Sequence, residues 1–252
     1  MEGGLHIALA AEPLFYVWGV PVTNALVSSW VVMVILFVGA LLVGRRVSLI
    51  PSKVQNFFEM LFELVLDYME NTLGSRDLAR RFFPLIMSIF LFILVANLFE
   101  FLPFSNAIGF FEHGEFIHLF RPAATDLNVT LALAIISYFV IEVTGVVVLG
   151  FLRYGSKFVN FREGVLGFAV GLIEFVSNLA RLISFSFRLF GNIFAGGVLI
   201  ALAVGFLPLI LPVPLMLFES FVALVQAAIF ALLTLAFIKI AITEPHKAAT
   251  SH

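Results

Sequence analysis

Ser184-Phe185-Ser186-Phe187-Arg188-Leu189-Phe190-Gly191-Asn192 lies inside an apolar run, residues 164–205, that contains no proline. As one helix at 1.5 Å per residue this run would be about 60 Å long. The hydrocarbon core of a bilayer is only about 30 Å thick. The run must therefore tilt steeply, bend, or break into a hairpin, with Gly191, Gly196 and Gly197 as candidate flex points. In its middle sits Arg188, which stays protonated at any relevant pH. Placing a guanidinium at bilayer depth costs about 2.5–3.5 kcal/mol even on the lower scales. Such a charge needs water, a counter-charge or a moving partner, so it marks a functional site.

The remainder of the chain identifies the solvent. Of 252 residues, 62% are apolar and 12% charged, and the mean hydropathy is +1.13. A soluble domain is about 45–50% apolar and about 25% charged, so these values describe an integral membrane protein. The net charge of −2 argues against a nucleic-acid partner held by phosphate attraction. The absence of cysteine excludes disulfides, thiolate metal sites and cysteine nucleophiles. His6, His113, His118, His246 and His252 lie near the termini or in one loop, with no pair at helical ligand spacing. No cofactor or metal is expected. No Gly-x4-Gly-Lys-Ser/Thr loop is present, so no ATP-hydrolysing site of its own is expected either.

Read outward from Arg188, the pattern predicts an all-α integral membrane protein, a single membrane domain over 1–252. Spans are expected at 24–44, 82–103 and 127–152, followed by the run at 164–205 and a last one at 209–242. The last two are overlong, which predicts a pair of strongly tilted helices packed together. Residues 51–73 place Phe57, Phe58, Leu61, Phe62, Val65, Leu66 and Met69 at helical spacing, with Glu59, Glu63, Asp67 and Glu70 on the other face. This is an amphipathic helix for the membrane surface. Trp18 and Trp30 suit interfacial anchoring. Residues 1–23 hold no Lys or Arg, and Glu12-Pro13 interrupts their apolar stretch. That reads as a mature, ordered N-terminus.

Orientation follows from the basic residues. With the N-terminus outside and five crossings, one side carries residues 45, 46, 53, 76, 80, 81, 153, 157, 162, 239 and 247, against Arg121 alone on the other. The positive-inside rule then puts the C-terminus in the cytoplasm. Arg181 and Arg188 are left over, within the overlong run. They belong to a series, Glu174, Ser177, Asn178, Arg181, Ser184, Arg188 and Asn192, that steps by three or four and forms one helical stripe. Phe175, Leu179, Ile183, Phe187, Phe190 and Phe194 take the other positions. The last run supplies Glu219 and Gln226, seven apart on one face. A structural reading pairs Arg181 or Arg188 with Glu174 or Glu219 as a lock between helices. A functional reading makes the stripe the wall of a polar path. Glu142 is open between path residue and helix-packing partner, and Glu100 between interface and vestibule.

The segment Arg188-Leu189-Phe190-Gly191-Asn192-Ile193-Phe194-Ala195-Gly196 resembles the signature helix of the a subunit of bacterial F-type ATP synthases. Asn97-Leu98 with Leu102-Pro103, Asp126-Leu127-Asn128-Val129-Thr130, and Gln226-Ala227-Ala228-Ile229-Phe230-Ala231-Leu232-Leu233-Thr234 agree in order along the chain, and the resemblance covers about residues 25–242. It implies a stator in a bacterial plasma (inner) membrane, beside a ring of c subunits and b subunits of the peripheral stalk, that couples hydrogen-ion transport to ATP synthesis. Arg188 would face the ring carboxylates, with Gln226 close by and Glu174 and Ser184 on the cytoplasmic access path. Asn97, Asp126, Asn192 and Glu219 would be candidates for the outer path. Many relatives carry an acid where this chain has Gly197, paired with a histidine on the last helix. Here Glu219 holds the histidine position, so the carboxylate has moved to the facing helix. A proton-coupled secondary transporter would also bury an arginine and acids, but usually shows an internal repeat, and residues 1–150 contain no second copy of the stripe.

Overall fold

A computed structural model describes residues 11–45, 52–101, 108–112, 115–155, 164–208 and 210–243. Arg46, Leu102-Pro103, His113, Lys157, Arg162 and Lys247, along with residues 1–10, lie outside the described residues. The chain runs through a short hairpin, β1 (Pro13–Val17) and β2 (Val20–Thr23), into α1 (Asn24–Gly44), α2 (Lys53–Leu73) and α3 (Arg76–Leu98). A second hairpin, β3 (Gly109–Glu112) and β4 (Glu115–His118), precedes α4 (Leu127–Leu149), the short α5 (Phe151–Gly155), α6 (Gly164–Phe206) and α7 (Pro212–Ile242). Five of these helices are long and apolar enough to cross a membrane. The fold is that of an all-α integral membrane protein.

Burial is inverted relative to a soluble protein. α1 buries Asn24, Ala25, Ser28, Ser29 and Val32 and exposes Trp30, Val34, Phe37, Val38 and Leu42. α4 buries Thr130, Ala134, Ser137, Thr144 and Gly145 and exposes Ile135, Ile136, Phe139 and Val147. In water that arrangement would be unstable. In lipid, where apolar surface gains nothing by burial, small and hydroxyl residues let helices approach closely and bond across. Thr130 and Ser186, both fully buried, meet this way at 3.0 Å between α4 and α6. α7 brings Ala223, Ala227 and Ala231, spaced by four, to the same interior.

The core forms three layers. One joins Met69 and Leu73 of α2 to Phe82 and Ile86 of α3 and Leu235 and Ile238 of α7. The middle layer joins Ile89 and Ile93 of α3, Phe185, Leu189 and Ile193 of α6, and Phe230 of α7. The third brings Val32 of α1 against Ala96 and Phe99.

Several expectations are refined. α3 begins at Arg76, about a turn and a half before the apolar stretch at 82, because Ser75 caps it and Asp77 sits in its first turn. It ends at Leu98 and continues as a 3-10 turn, Phe99–Phe101. α4 ends at Leu149 because Gly150 takes φ +83°, and the chain turns into α5. α6 is one unbroken helix of 43 residues, so the hairpin alternative falls away. Gly191, Gly196 and Gly197 do not interrupt it. The two hairpins were not expected. β1–β2 turns through Trp18 and Gly19, with φ of 51° and 83°, values that suit a two-residue hairpin turn. Trp18 is fully exposed there.

α2 also differs from its pattern. The apolar residues form two strips, not one. Val65, Leu66, Met69 and Leu73 pack on α3 and α7, while Phe57, Met60, Leu64 and Tyr68 are exposed. On a helix of 100° per residue the face of Glu59, Glu63 and Asp67 lies between the packed face and this second strip. An apolar strip bounded by acids suits a lipid surface. α2 is held at both ends: Ser52 accepts from the Gln55 amide, and Lys239 Nζ of α7 donates to the Leu73 carbonyl at 3.0 Å. A cation at a helix C-terminus satisfies an orphan carbonyl and the helix dipole together. Lys239→Met should therefore lower stability by about 0.3–1 kcal/mol. This would be read as a lower melting temperature of the solubilised complex. An unchanged melting temperature would show that this tie carries no load.

Candidate functional site

α6 carries the candidate residues at 100° per residue. Its buried positions among the described residues are Gly171, Asn178, Phe185, Ser186, Leu189, Ile193, Gly196 and Ala203. The centre of the polar stripe lies about 80° round the helix from the centre of that face. The stripe is therefore a shoulder, not an interior seam. Asn178 turns inward at 1% exposure, Glu174 and Arg181 are half-buried, and Ser177, Ser184, Arg188 and Asn192 are exposed. Of the apolar set, Phe175, Leu179, Ile183 and Phe187 are exposed. Phe190 and Phe194 are half-buried and stack at 5.5 Å.

The two arginines separate. The Arg181 guanidinium lies 4.1 Å from the centre of the Phe237 ring on α7, a cation–π contact between helices. Arg188 Nη2 donates to Ser184 Oγ at 3.5 Å on the same helix. It forms no ion pair with a described residue. The lock between Arg188 and Glu219 or Glu174 is absent, and the charge points away from this chain's own interior.

Two polar sectors flank Arg188 along α6. Toward the C-terminus, Asn192 Nδ2 donates to Gln226 Oε1 at 3.0 Å, tying α6 to α7. Gln226 is buried, and its Nε2 has no partner among the described residues. One turn further, the Glu219 carboxyl rests directly on Gly196, where a Cβ would overlap it. Glu219 is only 7% exposed. Gly196 thus serves close approach, whereas Gly191 faces open space. Toward the N-terminus, Asn178 Nδ2 donates to Glu142 Oε1 of α4 at 3.4 Å. Tyr154 OH of α5 donates to Glu142 Oε2 at 2.9 Å. Sequence reasoning did not find Tyr154. The available signal was Gly145, three residues from Glu142 on the same face, which leaves room for the Tyr154 ring.

Two further candidates form no hydrogen bond with Arg188. Asn97, 1% exposed with neither amide atom partnered among the described residues, lines a cavity of about 10 Å³ with Ala123, Val129 and Leu189. That volume is at the lower limit for one water. The cavity wall reaches the residue next to Arg188. Asp126 is the N-cap of α4: its Oδ1 accepts from the Asn128 amide at 2.9 Å, and Thr23 Oγ1, itself the cap of α1, donates to Oδ2 at 3.4 Å. No hydrogen bond or ion pair joins Asp126 to Arg188. Beside it, half-buried Arg121 has its pKa lowered by burial, with Asp126 and Glu12 opposing the shift.

A profile described as ATP synthase A chain matches residues 26–239, which takes in α6, α7 and the arginine segment between the two sectors. The chain belongs to that family. The chain is 30% identical to ATP synthase subunit a of Moorella thermoacetica over 225 residues, 89% of this chain and 93% of that one. It is 34% identical to ATP synthase subunit a of Mycobacterium marinum over 220 residues, 85% of each. It is 36% identical to ATP synthase subunit a of Desulfotalea psychrophila over 213 residues, 83% and 80% respectively. The match spans nearly the whole membrane bundle of this chain, so family membership and the five-span fold support each other.

Proposed function

We propose that this chain is the stator subunit a of an F-type ATP synthase and that Arg188 controls proton loss from carboxylates on a rotating c ring. One observation carries the reading: Arg188 is an exposed, unpaired cation midway along a membrane helix, between two separate polar sectors. A lone chain in lipid has no use for that placement. A partner carrying carboxylates does.

The chemistry follows from a charge that cannot titrate. A ring carboxyl in lipid keeps its proton, since desolvation penalises the ionised form. Near Arg188 the ionised form is favoured, and the proton leaves by the nearer aqueous path. The same fixed charge stops a hydronium from crossing directly between paths. Lysine or histidine could lose the charge, whereas arginine cannot. In this reading Glu174 and Ser184 serve the cytoplasmic path. Glu219, Asn192 and Gln226 serve the outer path, with Asn97 and Asp126 at its margin. Glu174 precedes Arg188 by 14 residues and Gly196 follows it by eight, about 21 Å and 12 Å along the helix. The paths are therefore offset on either side of the charge. Each proton crossing releases about 2.3 kcal/mol per 100 mV, which rotation would transmit to ATP synthesis on other subunits.

Exposure on this side of α6 supports a ring-facing surface there. The chain has no cysteine, so single replacements report cleanly. Ser184→Cys, exposed one turn from Arg188, should form a disulfide with a cysteine on the outer c helix under mild oxidation. Ser186→Cys, fully buried against α4, should not. Equal yields from both, or none from Ser184→Cys in assembled complexes, would remove the ring from this face.

A further inference from the structure

The Glu142 cluster is not used by the mechanism above. Glu142 sits seven residues before the end of α4, about 10 Å from the helix terminus, half-buried between α4, α5 and α6. Gly150 reverses the chain after α4 with φ +83°, and its carbonyl accepts from the Tyr154 amide at 2.9 Å. The reversal lays the Tyr154 ring over Gly145, where any Cβ would overlap it, and Tyr154 is only 4% exposed. Its hydroxyl then reaches Glu142 Oε2 while Asn178 reaches Oε1. A carboxylate reached on its two oxygens from two different elements, with Tyr138 as a further hydrogen-bonding neighbour on α4, is a built site.

We infer that Glu142 is a proton-carrying station of the cytoplasmic path, exchanging protons between the aqueous phase and Glu174. This rests on the half-channel reading and extends it to α4. Protonation forms one O–H bond on the carboxyl and neutralises it. Deprotonation returns that proton to water or toward Glu174, and no other bond changes.

Three features favour transfer over mere packing. Asn178 is 1% exposed, yet its Oδ1 has no partner among the described residues. An amide serves both protonation states, because Nδ2 donates to a carboxylate and, after a flip, Oδ1 accepts from a carboxylic acid. A static lock needs only the first. Next, Tyr154 keeps its own proton: burial first, and then Glu142, raise its pKa above the usual phenol range. The tyrosine is thus a fixed donor, and the mobile proton resides on the carboxyl. Glu174 is close enough for its charge to act on Tyr154 in the same direction, so both carboxylates have this tyrosine as a neighbour. The remaining ionisable groups facing the cluster are Tyr138, one turn earlier on α4, and Arg181 on α6.

The test measures ATP-driven acidification in inverted membrane vesicles against pH on the cytoplasmic side, with the amount of assembled subunit matched. Glu142→Gln keeps size and hydrogen-bonding capacity but cannot ionise. It should slow pumping several-fold and flatten the pH dependence, while Glu142→Asp restores a pH-dependent rate. A packing role predicts normal pumping and an unchanged profile for Glu142→Gln, and that result overturns the proposal. Should Glu142→Gln not assemble, Glu142→Cys decides: added silver ions should inhibit pumping from the cytoplasmic side, and insensitivity would refute the station. Glu174→Gln separates the two levels of inference. If it slows pumping while Glu142→Gln does not, only the Glu142 proposal fails. If neither slows pumping, the cytoplasmic half-channel reading fails with it.

Discussion

Arg188→Ala should abolish both ATP synthesis driven by a proton gradient and ATP-driven acidification, at unchanged assembly. The size of the effect follows from the role. Without the fixed cation nothing favours ionisation of a ring carboxyl in the low-dielectric zone, and an unfavourable desolvation of several kcal/mol stands uncompensated. A difference of only about 1.4 kcal/mol in a barrier changes a rate tenfold, so residual coupled turnover should be undetectable. A second signature accompanies the loss. With the charge gone, the barrier to direct proton passage between the two sectors falls, and passive leak through the membrane sector should rise. Arg188→Lys should recover little, because a desolvated lysine can neutralise itself. Coupled pumping at the wild-type rate in Arg188→Ala would end the mechanism and leave the shoulder of α6 as a packing surface.

The second large effect is expected at Gly196. The Glu219 carboxyl occupies the space that any side chain there would fill, so Gly196→Val forces either the carboxyl aside or α6 and α7 apart. Overpacking of this kind typically costs about 1–3 kcal/mol. Here it also displaces the acid assigned to the outer path. Pumping should fall to background, with reduced subunit content in the membrane. The double variant Gly196→Val with Glu219→Ala should recover the content, since the clash is relieved, but not the pumping, since the acid is gone. That non-additivity is the diagnostic. Normal pumping in Gly196→Val alone would mean that Glu219 has no part in conduction.

Much of this was legible from residue order, and the failures have identifiable causes. The long helices were visible because runs such as 127–149 and 212–242 are predominantly apolar over more than 20 residues, with only one or two charges each. The start of α3 was misplaced because hydropathy marks where lipid begins, whereas Ser75 marks where the helix begins. The hairpins were missed because Phe15–Thr23 offers few residues and an unusual turn with a tryptophan at positive φ. The stripe on α6 shows the deeper limit. Periodicity fixes the angles of Asn178 and Arg188 relative to each other, but not which angle meets a neighbour. Only packing against α4 and α7 sends Asn178 inward and leaves Arg188 outside. Asp126 shows another limit: the sequence offers it as a path candidate, and the fold adds that it caps α4. Glu142 has two open readings in the sequence, and the convergence of Tyr154 and Asn178 on it is visible only in the fold.

α6 crosses from the Glu142 cluster to the Glu219 contact without a break. The distance and bearing between the two sectors are therefore set by residue count alone, as divisions on a ruler. Inserting one residue between Asn178 and Gly196 would advance one end by about 1.5 Å and turn it by about 100°. No loop lies in between to absorb that change. Exchanging one side chain leaves this spacing intact, whereas changing the length of the segment does not. Variation in the number of residues is accordingly expected in the connections outside the helix and not between these two positions.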